Sequence, residues 1–452
     1  MIKLANISTV YFLGIGGIGM SALARYFKLQ GCVVSGYDKT KTVLTSTLEN
    51  EGVAIHYAPN PDLILANTDL VVYTPAVSSS HPEWAVIQQR GLPTMKRAEV
   101  LGLISNSGQC LAIAGTHGKT TTSAILAHIF KSHFGEVNAF VGGILSNYQT
   151  NFLYGENTNF FVVEADEFDR SFLHLKPNFA VLNSVDADHL DIYGEKNELL
   201  KSFNDFTNNI RSGGALIKNV SILEDFNMSG VDSYTFGIST TADFCAEQVE
   251  IIDGNYQFIY KHAGNDGQLI ELSLPGKHNV ENTVAASAIA TLCGISDEEI
   301  ALAIKTFKGV KRRFEITKNS KGITYVDDYA HHPTEITKVL ESAREMYVGK
   351  KLTVIFQPHL YSRTRDFEDD FAEALSKFDE VLLLDIYPAR ELPIEGITSE
   401  KLLSKITNKN KTVIAKNDVI NYLKNNQVEV LLTLGAGDID TLVEPIKELV
   451  GG

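Results

Sequence analysis

The chain has 452 residues, 44% hydrophobic and 21% charged, an ordinary globular composition with length for about three domains. A formal net charge of −15 without any long basic run argues against a nucleic-acid partner and against an anionic membrane surface. Cys32, Cys110, Cys245 and Cys293 have neither metal nor disulfide spacing, and neither a signal-like N-terminus nor an apolar run of membrane-spanning length is present, so a cytoplasmic, reducing location is expected.

The first informative stretch is Thr9–Leu13, an apolar strand pattern, followed by Gly14-Ile15-Gly16-Gly17-Ile18-Gly19, a helix over Met20–Leu29 and a second strand, Cys32–Tyr37, ending at Asp38. Strand, glycine turn, helix and strand predict a Rossmann-like domain over residues 1–106. A diphosphate would lie on the backbone of Gly14, Gly16, Gly17, Ile18 and Gly19, and Asp38 would meet a ribose or base. Taken alone, this turn also fits a nicotinamide-dependent oxidoreductase. A further strand, Leu70–Thr74, runs into Pro75-Ala76-Val77-Ser78-Ser79-Ser80. Ligands in such sheets bind beyond the carboxyl ends of strands, so Thr74 and Ala76 form either a second wall of the site or a plain polar surface loop.

The most specific stretch is Cys110–Phe134. An apolar strand, Cys110–Ala114, leads into Gly115-Thr116-His117-Gly118-Lys119 and then into a helix opened by Thr120, Thr121 and Thr122. This is the arrangement that holds a nucleoside triphosphate. Backbone N–H groups and the helix N-terminus face the phosphates, Lys119 reaches the β/γ-phosphates, and the Thr120 hydroxyl sits on Mg²⁺. The usual pattern has its first glycine at the position of Ile113; here it stands at Gly115. A central domain over residues 107–310 follows. Strand Phe160–Val163 ends in Glu164-Ala165-Asp166-Glu167, and a carboxylate at a strand end beside a P-loop is where Mg²⁺ is held, with Glu164 the first choice. Glu167 and Asp169 read as solvated loop acids. Strand Phe179–Val185 ends in Asp186-Ala187-Asp188-His189-Leu190-Asp191, which places His189 near metal or phosphate. Residues 233–274 alternate as strands and predict a small antiparallel subsheet. In Lys277-His278-Asn279-Val280-Glu281-Asn282, the two Asn fall on one helix face. They either hydrogen-bond an adenine or cap the helix.

Residues 311–452 predict a second Rossmann-like domain. Strands Gly322–Val326, Leu352–Phe356, Val381–Ile386 and Val428–Leu434 each end in polar or glycine residues. His331 and His332 precede Pro333 at a strand end, where they either belong to the functional edge or cap the helix.

Together GTHGKTT, VEADE, DADHLD, GKHNVEN, RRFE, DDYAHHPTE and FQPHLYSRT resemble the Mur ligases across the whole chain. The resemblance implies an ATP-dependent amide-bond-forming enzyme of peptidoglycan synthesis with three α/β domains. IGGIGMSALARY, HHPTE and FQPHLYSRT are similar to the branch that joins L-alanine to UDP-N-acetylmuramate, and the recycling branch that attaches a whole tripeptide is the alternative. The implied chemistry is attack of the lactyl carboxylate on the γ-phosphate of ATP, giving an acyl phosphate, followed by attack of the alanine amine. By the same resemblance Thr120, Glu164 and His189 belong with Mg²⁺ (or Mn²⁺ in its place), and His278, Asn279, Asn282, Arg313 and Asp328 with ATP. Arg313 is the expected further cation. Tyr329, His331, His359 and Arg363 line the incoming amino acid. Leu360 stands where the alanine-adding branch usually has Arg, and Arg390 where Gly is usual. A monomer or weak dimer is expected, with the C-terminal domain closing over the P-loop.

Overall fold

The computed structural model describes residues 3–78, 80–186, 196–226, 228–238, 241–318, 322–389 and 391–451. His189 and Arg390 lie outside the described residues. The chain divides into two compact units. One contains the residues up to Glu250 with Gln257–Glu271 and Glu281–Lys308; the other contains Ile251–Tyr256, Leu272–Val280 and the chain from Gly309 onward.

The first unit holds two sheets. The N-terminal sheet is built from β1 (Thr9–Leu13), β2 (Val33–Tyr37), β3 (Ala54–His56), β4 (Leu70–Tyr73) and β5 (Thr94–Lys96), in the order β3-β2-β1-β4-β5. All its neighbours are parallel. Every residue of β1 is buried, as expected of a central strand covered on both faces. The helix after the glycine turn spans Ile18–Leu29 and is capped by Gly17.

The central sheet contains β6 (Gln109–Ala114), β7 (Asn138–Leu145), β8 (Thr150–Leu153), β9 (Phe160–Glu164), β10 (Phe179–Leu182), β11 (Ala215–Asn219), β12 (Asp232–Gly237), β13 (Phe244–Ile252), β14 (Asn255–His262) and β15 (Gln268–Leu272). Their order is β15-β14-β13-β12-β11-β10-β6-β9-β7-β8. Two features differ from expectation. β7 and β8 extend the sheet beyond β9, where Gly142-Gly143 interrupts the apolar pattern that would have revealed them. β12 is parallel to both of its neighbours rather than part of an antiparallel subsheet. Only Phe236 and Gly237 at its end lie beside Phe244 and Cys245 at the start of β13. The two strands are therefore nearly end to end, which alternation alone does not reveal.

One apolar core joins these two sheets. Phe12, Phe27 and Val34 belong to it with Phe140, Phe152, Val163 and Leu182. The Tyr26 ring reaches Phe140 at 6.0 Å and Phe152 at 6.3 Å, contacts of a type that add about 0.5–1.5 kcal/mol beyond burial. Arg25, paired with Glu51 at 2.9 Å, also hydrogen-bonds the buried Asn151 side chain.

The second unit contains β16 (Glu315–Lys318), β17 (Thr324–Asp328), β18 (Leu352–Phe356), β19 (Glu380–Leu383), β20 (Lys411–Val413) and β21 (Val430–Leu434), in the order β16-β17-β21-β18-β19-β20. Only β16 runs antiparallel, against β17. Successive residues alternate between two apolar clusters: Val326, Val354 and Leu432 in one, Tyr325, Ile355 and Leu431 in the other. Both faces of the sheet are thus covered. Among the described residues no helix is long and apolar enough to cross a membrane.

The joint between the first two sheets makes a stability prediction. A Cβ on Gly102 would lie 2.5 Å from the His174 carbonyl oxygen. Gly102→Ala should therefore destabilise the protein by about 1–3 kcal/mol, an overpacking cost read from urea unfolding.

Candidate active site

The loop after β6 takes its shape from two glycines. Gly115 (φ +122) packs so closely on β10's end that a Cβ would lie 2.8 Å from the Ser184 nitrogen. Gly118 (φ +78) caps the helix Lys119–Phe134, and a Cβ there would lie 2.4 Å from Asn282 Oδ1. Ile113 is a fully buried strand residue paired with Glu164, so the glycine expected at that position has moved past the end of the strand. The Thr116 hydroxyl meets the Ser184 hydroxyl at 2.9 Å, and the His117 amide donates to the same Ser184 oxygen at 3.0 Å. Thr121 and Thr122 are buried. Thr122 donates to Asn282 at 3.1 Å and accepts from Asn183 at 3.1 Å. Within the protein, then, Asn282 braces the loop.

Lys119 is the first residue of that helix. Its ammonium donates to Gly115 O at 2.7 Å and pairs with Glu167 at 2.8 Å. Burial alone would lower its pKa, but Glu167, Asp166 and Glu164 together outweigh that and raise it. Lys119 therefore stays charged. Glu167 is fully buried, which corrects the reading of it as a solvated acid. Its charge is tolerated because Lys119 answers it. Asp169 is half-exposed and 3.5 Å from Lys96, as a solvated acid would be. At the end of β9, Glu164 accepts from the Thr120 hydroxyl at 2.9 Å and from the Gly142 amide at 2.8 Å. Among the described residues no group of three or more His, Cys, Asp and Glu is placed to hold a metal ion. The Thr120–Glu164 oxygen pair nevertheless suits a hard cation that keeps most of its waters, as Mg²⁺ does.

In the N-terminal sheet, Gly14 (φ +92) packs under Thr74, and Ala76 lies exposed in the turn beyond, its amide 3.4 Å from the Thr74 hydroxyl. Asp38 accepts from the Gly16 amide at 2.7 Å and from the Thr40 amide at 3.0 Å, so it shapes the glycine turn. A Cβ on Gly16 would strike Asp38 at 2.7 Å, whereas one on Gly17 would meet nothing closer than Met20 at 3.7 Å. Ile18 is exposed on the first turn of the helix. Gly19 lies under Arg97. Behind the turn, the wholly buried Glu83 accepts from Tyr11 at 2.5 Å and meets His56 at 2.7 Å.

The second unit gathers the remaining candidates. His278 and Asn279 open the helix Lys277–Leu292; burial, then the Lys338 charge, lowers the His278 pKa to about 4, and Asn279 donates to Pro275 O at 2.6 Å. Asp328 accepts from the Phe314 amide at 2.7 Å and the Ala330 amide at 2.7 Å, while burial lifts its pKa to about 6. The guanidinium of Arg313 lies 5.3 Å from the centre of the Tyr329 ring. His331 donates from Nδ1 to Tyr329 O at 3.0 Å, leaving Nε2 as the acceptor, and its ring lies 5.2 Å from Tyr329 and 6.0 Å from His359. Burial holds its pKa down at about 4, so it is neutral at pH 7. His332, by contrast, caps the helix Pro333–Met346 through the Thr334 amide. The His359 ring stacks on Tyr387 at 5.7 Å, and Leu360 (φ +70) donates its amide to Tyr387 O at 2.9 Å. Arg363 is half-buried and, among the described residues, its side chain makes no hydrogen bond or ion pair.

Sequence reasoning missed Glu167, Asn183, Ser184 and Arg97. Asn183 and Ser184 follow a buried strand beside a P-loop, a position that could have flagged them; Arg97 carries no local signal.

Three domain models match the chain in sequence: "Mur ligase family, catalytic domain" at residues 9–109, "Mur ligase middle domain" at 113–290 and "Mur ligase, glutamate ligase domain" at 312–437. The UDP-N-acetylmuramate–L-alanine ligase of Flavobacterium psychrophilum is 50% identical over 450 residues, 99% of either chain. The crystal structure of the UDP-N-acetylmuramate–alanine ligase of Thermotoga maritima superposes with a TM-score of 0.82 at 28% identity, covering 98% of this chain and 99% of that one. A murein peptide ligase from Psychrobacter arcticus gives 0.75 at 25% identity with the same coverage.

The Lys119–Glu167 pair makes the prediction for this site. Glu167→Ala should cost about 3–5 kcal/mol in urea unfolding of the nucleotide-free protein, because it strands a buried charge. Lys119→Met combined with Glu167→Leu should cost clearly less than the sum of the single changes.

Proposed function

Because the chain belongs to the Mur ligase family, we propose that its glycine turn and its P-loop serve one reaction, the ATP-dependent joining of L-alanine to the lactyl carboxylate of UDP-N-acetylmuramate through an acyl phosphate. The observation that carries this reading is Lys119 and the Thr120–Glu164 oxygen pair assembled in one compact unit with a second anion-binding turn. Relatives of that name align along nearly the whole chain. The nicotinamide reading of the glycine turn fails, since the Mur ligase models account for that turn and the P-loop together.

The residue roles are assigned by family resemblance, and the geometry of the two turns supports them. The diphosphate of the sugar nucleotide rests on Gly14, Gly16, Gly17, Ile18 and Gly19, with Thr74 and Ala76 beside it. Gly17 is the open position of the turn, while Gly16 is filled by Asp38. ATP phosphates take the amides from Gly115 to Thr121 and the Lys119 ammonium. Thr120 and Glu164 would hold Mg²⁺, with His189 assigned to the same ion by family resemblance; when bound, that ion screens the phosphate charge. Unit like charges 4 Å apart repel by about 4 kcal/mol at an effective dielectric near 20, and Lys119 offsets that cost; Arg313 is assigned the same task by family resemblance. His278, Asn279 and Asp328 are assigned to ATP, and Tyr329, His331, His359 and Arg363 to the amino acid.

ADP release with UDP-N-acetylmuramate, offering L-alanine, other amino acids and the tripeptide one at a time, tests the function. Release with the tripeptide alone would make this a recycling ligase. Gly17→Val should raise KM for the sugar nucleotide at least about tenfold and leave KM for ATP within twofold, since the added Cβ would meet no protein atom closer than 3.7 Å. Arg363→Ala should raise KM for L-alanine by a similar factor with nucleotide KM unchanged, and Arg363→Lys should rescue poorly, because a point charge lacks the paired donors.

A further inference from the structure

Joining a carboxylate to a phosphoryl group brings two anions together, and each needs a cation beside it. Within the first unit Lys119 serves the phosphate. We propose that Arg97 serves the other partner: its guanidinium binds the reacting lactyl carboxylate of the sugar nucleotide. The proposal rests on the reading of the chain as a ligase acting on UDP-N-acetylmuramate.

Three observations carry it. First, Arg97 opens the helix Arg97–Ser105 and lies directly on the glycine turn. A Cβ on Gly19 would be 2.9 Å from Arg97 Nη1 and 3.0 Å from its Cδ. The last glycine of the turn thus makes room for an arginine side chain. Second, Arg97 points from that turn toward the end of β9. Its Nη2 lies 3.6 Å from Asp166 Oδ2, and Asp166 in turn is one of the carboxylates acting on Lys119. Asp166 therefore stands between two cations, one on the P-loop and one on the glycine turn. Arg97, Glu164 and Asp166 line a single cavity of about 10 Å³. Third, the Arg97 fork is underused. Its side chain is only 24% exposed, yet the contact with Asp166 is beyond hydrogen-bond length. Among the described residues its five N–H donors make no hydrogen bond.

A substrate whose diphosphate rests on Gly17 and whose carboxylate must approach the phosphates at Lys119 has to pass this guanidinium. A carboxylate there could take two parallel N–H contacts, with Asp166 holding the fork in orientation. Lys96, the neighbouring cation, is paired with Asp169 instead.

The test compares wild type with Arg97→Gln and Arg97→Lys by calorimetric titration of UDP-N-acetylmuramate, UDP and ATP, with melting temperatures alongside. UDP keeps the diphosphate and lacks the carboxylate. Arg97→Gln should weaken UDP-N-acetylmuramate at least about tenfold, the usual range for losing a charge-assisted pair, and change UDP and ATP by less than about twofold. Arg97→Lys should recover only part of the loss. An equal loss for UDP would place Arg97 on the diphosphate and overturn the proposal. So would a lowered melting temperature with all three affinities unchanged, which would make Arg97 a clamp between Gly19 and Asp166. Wild-type protein that fails to bind UDP-N-acetylmuramate would instead overturn the function on which the proposal rests.

Discussion

A carboxylate with no exposed surface must be answered by a cation or by hydrogen bonds, and at the end of β9 a lysine answers it. Glu167 is wholly buried, and Lys119 is brought to it at 2.8 Å. That contact ties the first turn of the P-loop helix to the acidic segment after β9. It leaves the loop between β6 and the helix little freedom. Gly115 and Gly118 take left-handed backbone because Ser184, Asn183 and Asn282 crowd the space a side chain would need. The same neighbours supply the hydrogen bonds that brace the loop.

The N-terminal sheet repeats the device with different parts. Here Asp38, at the end of β2, fastens the glycine turn through the Gly16 amide. Both turns follow central parallel strands, and both present backbone amides at a helix N-terminus. Because one apolar core runs through both sheets, the two turns are held in a single packed body. Two anionic substrates can then be positioned by packing rather than by chance encounter.

What was legible in the sequence is what is local. Gly-Lys-Thr after a buried strand, and glycines between strand and helix, are short patterns whose geometry is decided within a few residues, so β1, β6 and their helices could be read directly. Glu164 was readable for the same reason, since it abuts the strand that delivers it. Glu167 was not, because its burial depends on a lysine from another part of the chain. β7 and β8 were hidden by Gly142-Gly143, one of which makes space for the Glu164 carboxylate. The direction of β12 is a matter of pairing partners, which alternation of apolar residues does not encode. Asn282 looked like an adenine ligand or a cap; its contact with Thr122 spans 160 residues of sequence.

Leu360 has a different kind of consequence. Its backbone (φ +70, ψ 136) is a shape normally left to glycine, and holding it costs about 1–3 kcal/mol. The main chain is clamped there by Tyr387, through the Leu360 amide and the bridge at His359. The turn is therefore a cocked spring, and Tyr387 is its catch. Those backbone contacts fix the start of the helix Tyr361–Asp366, and with it the direction in which Arg363 leaves the chain.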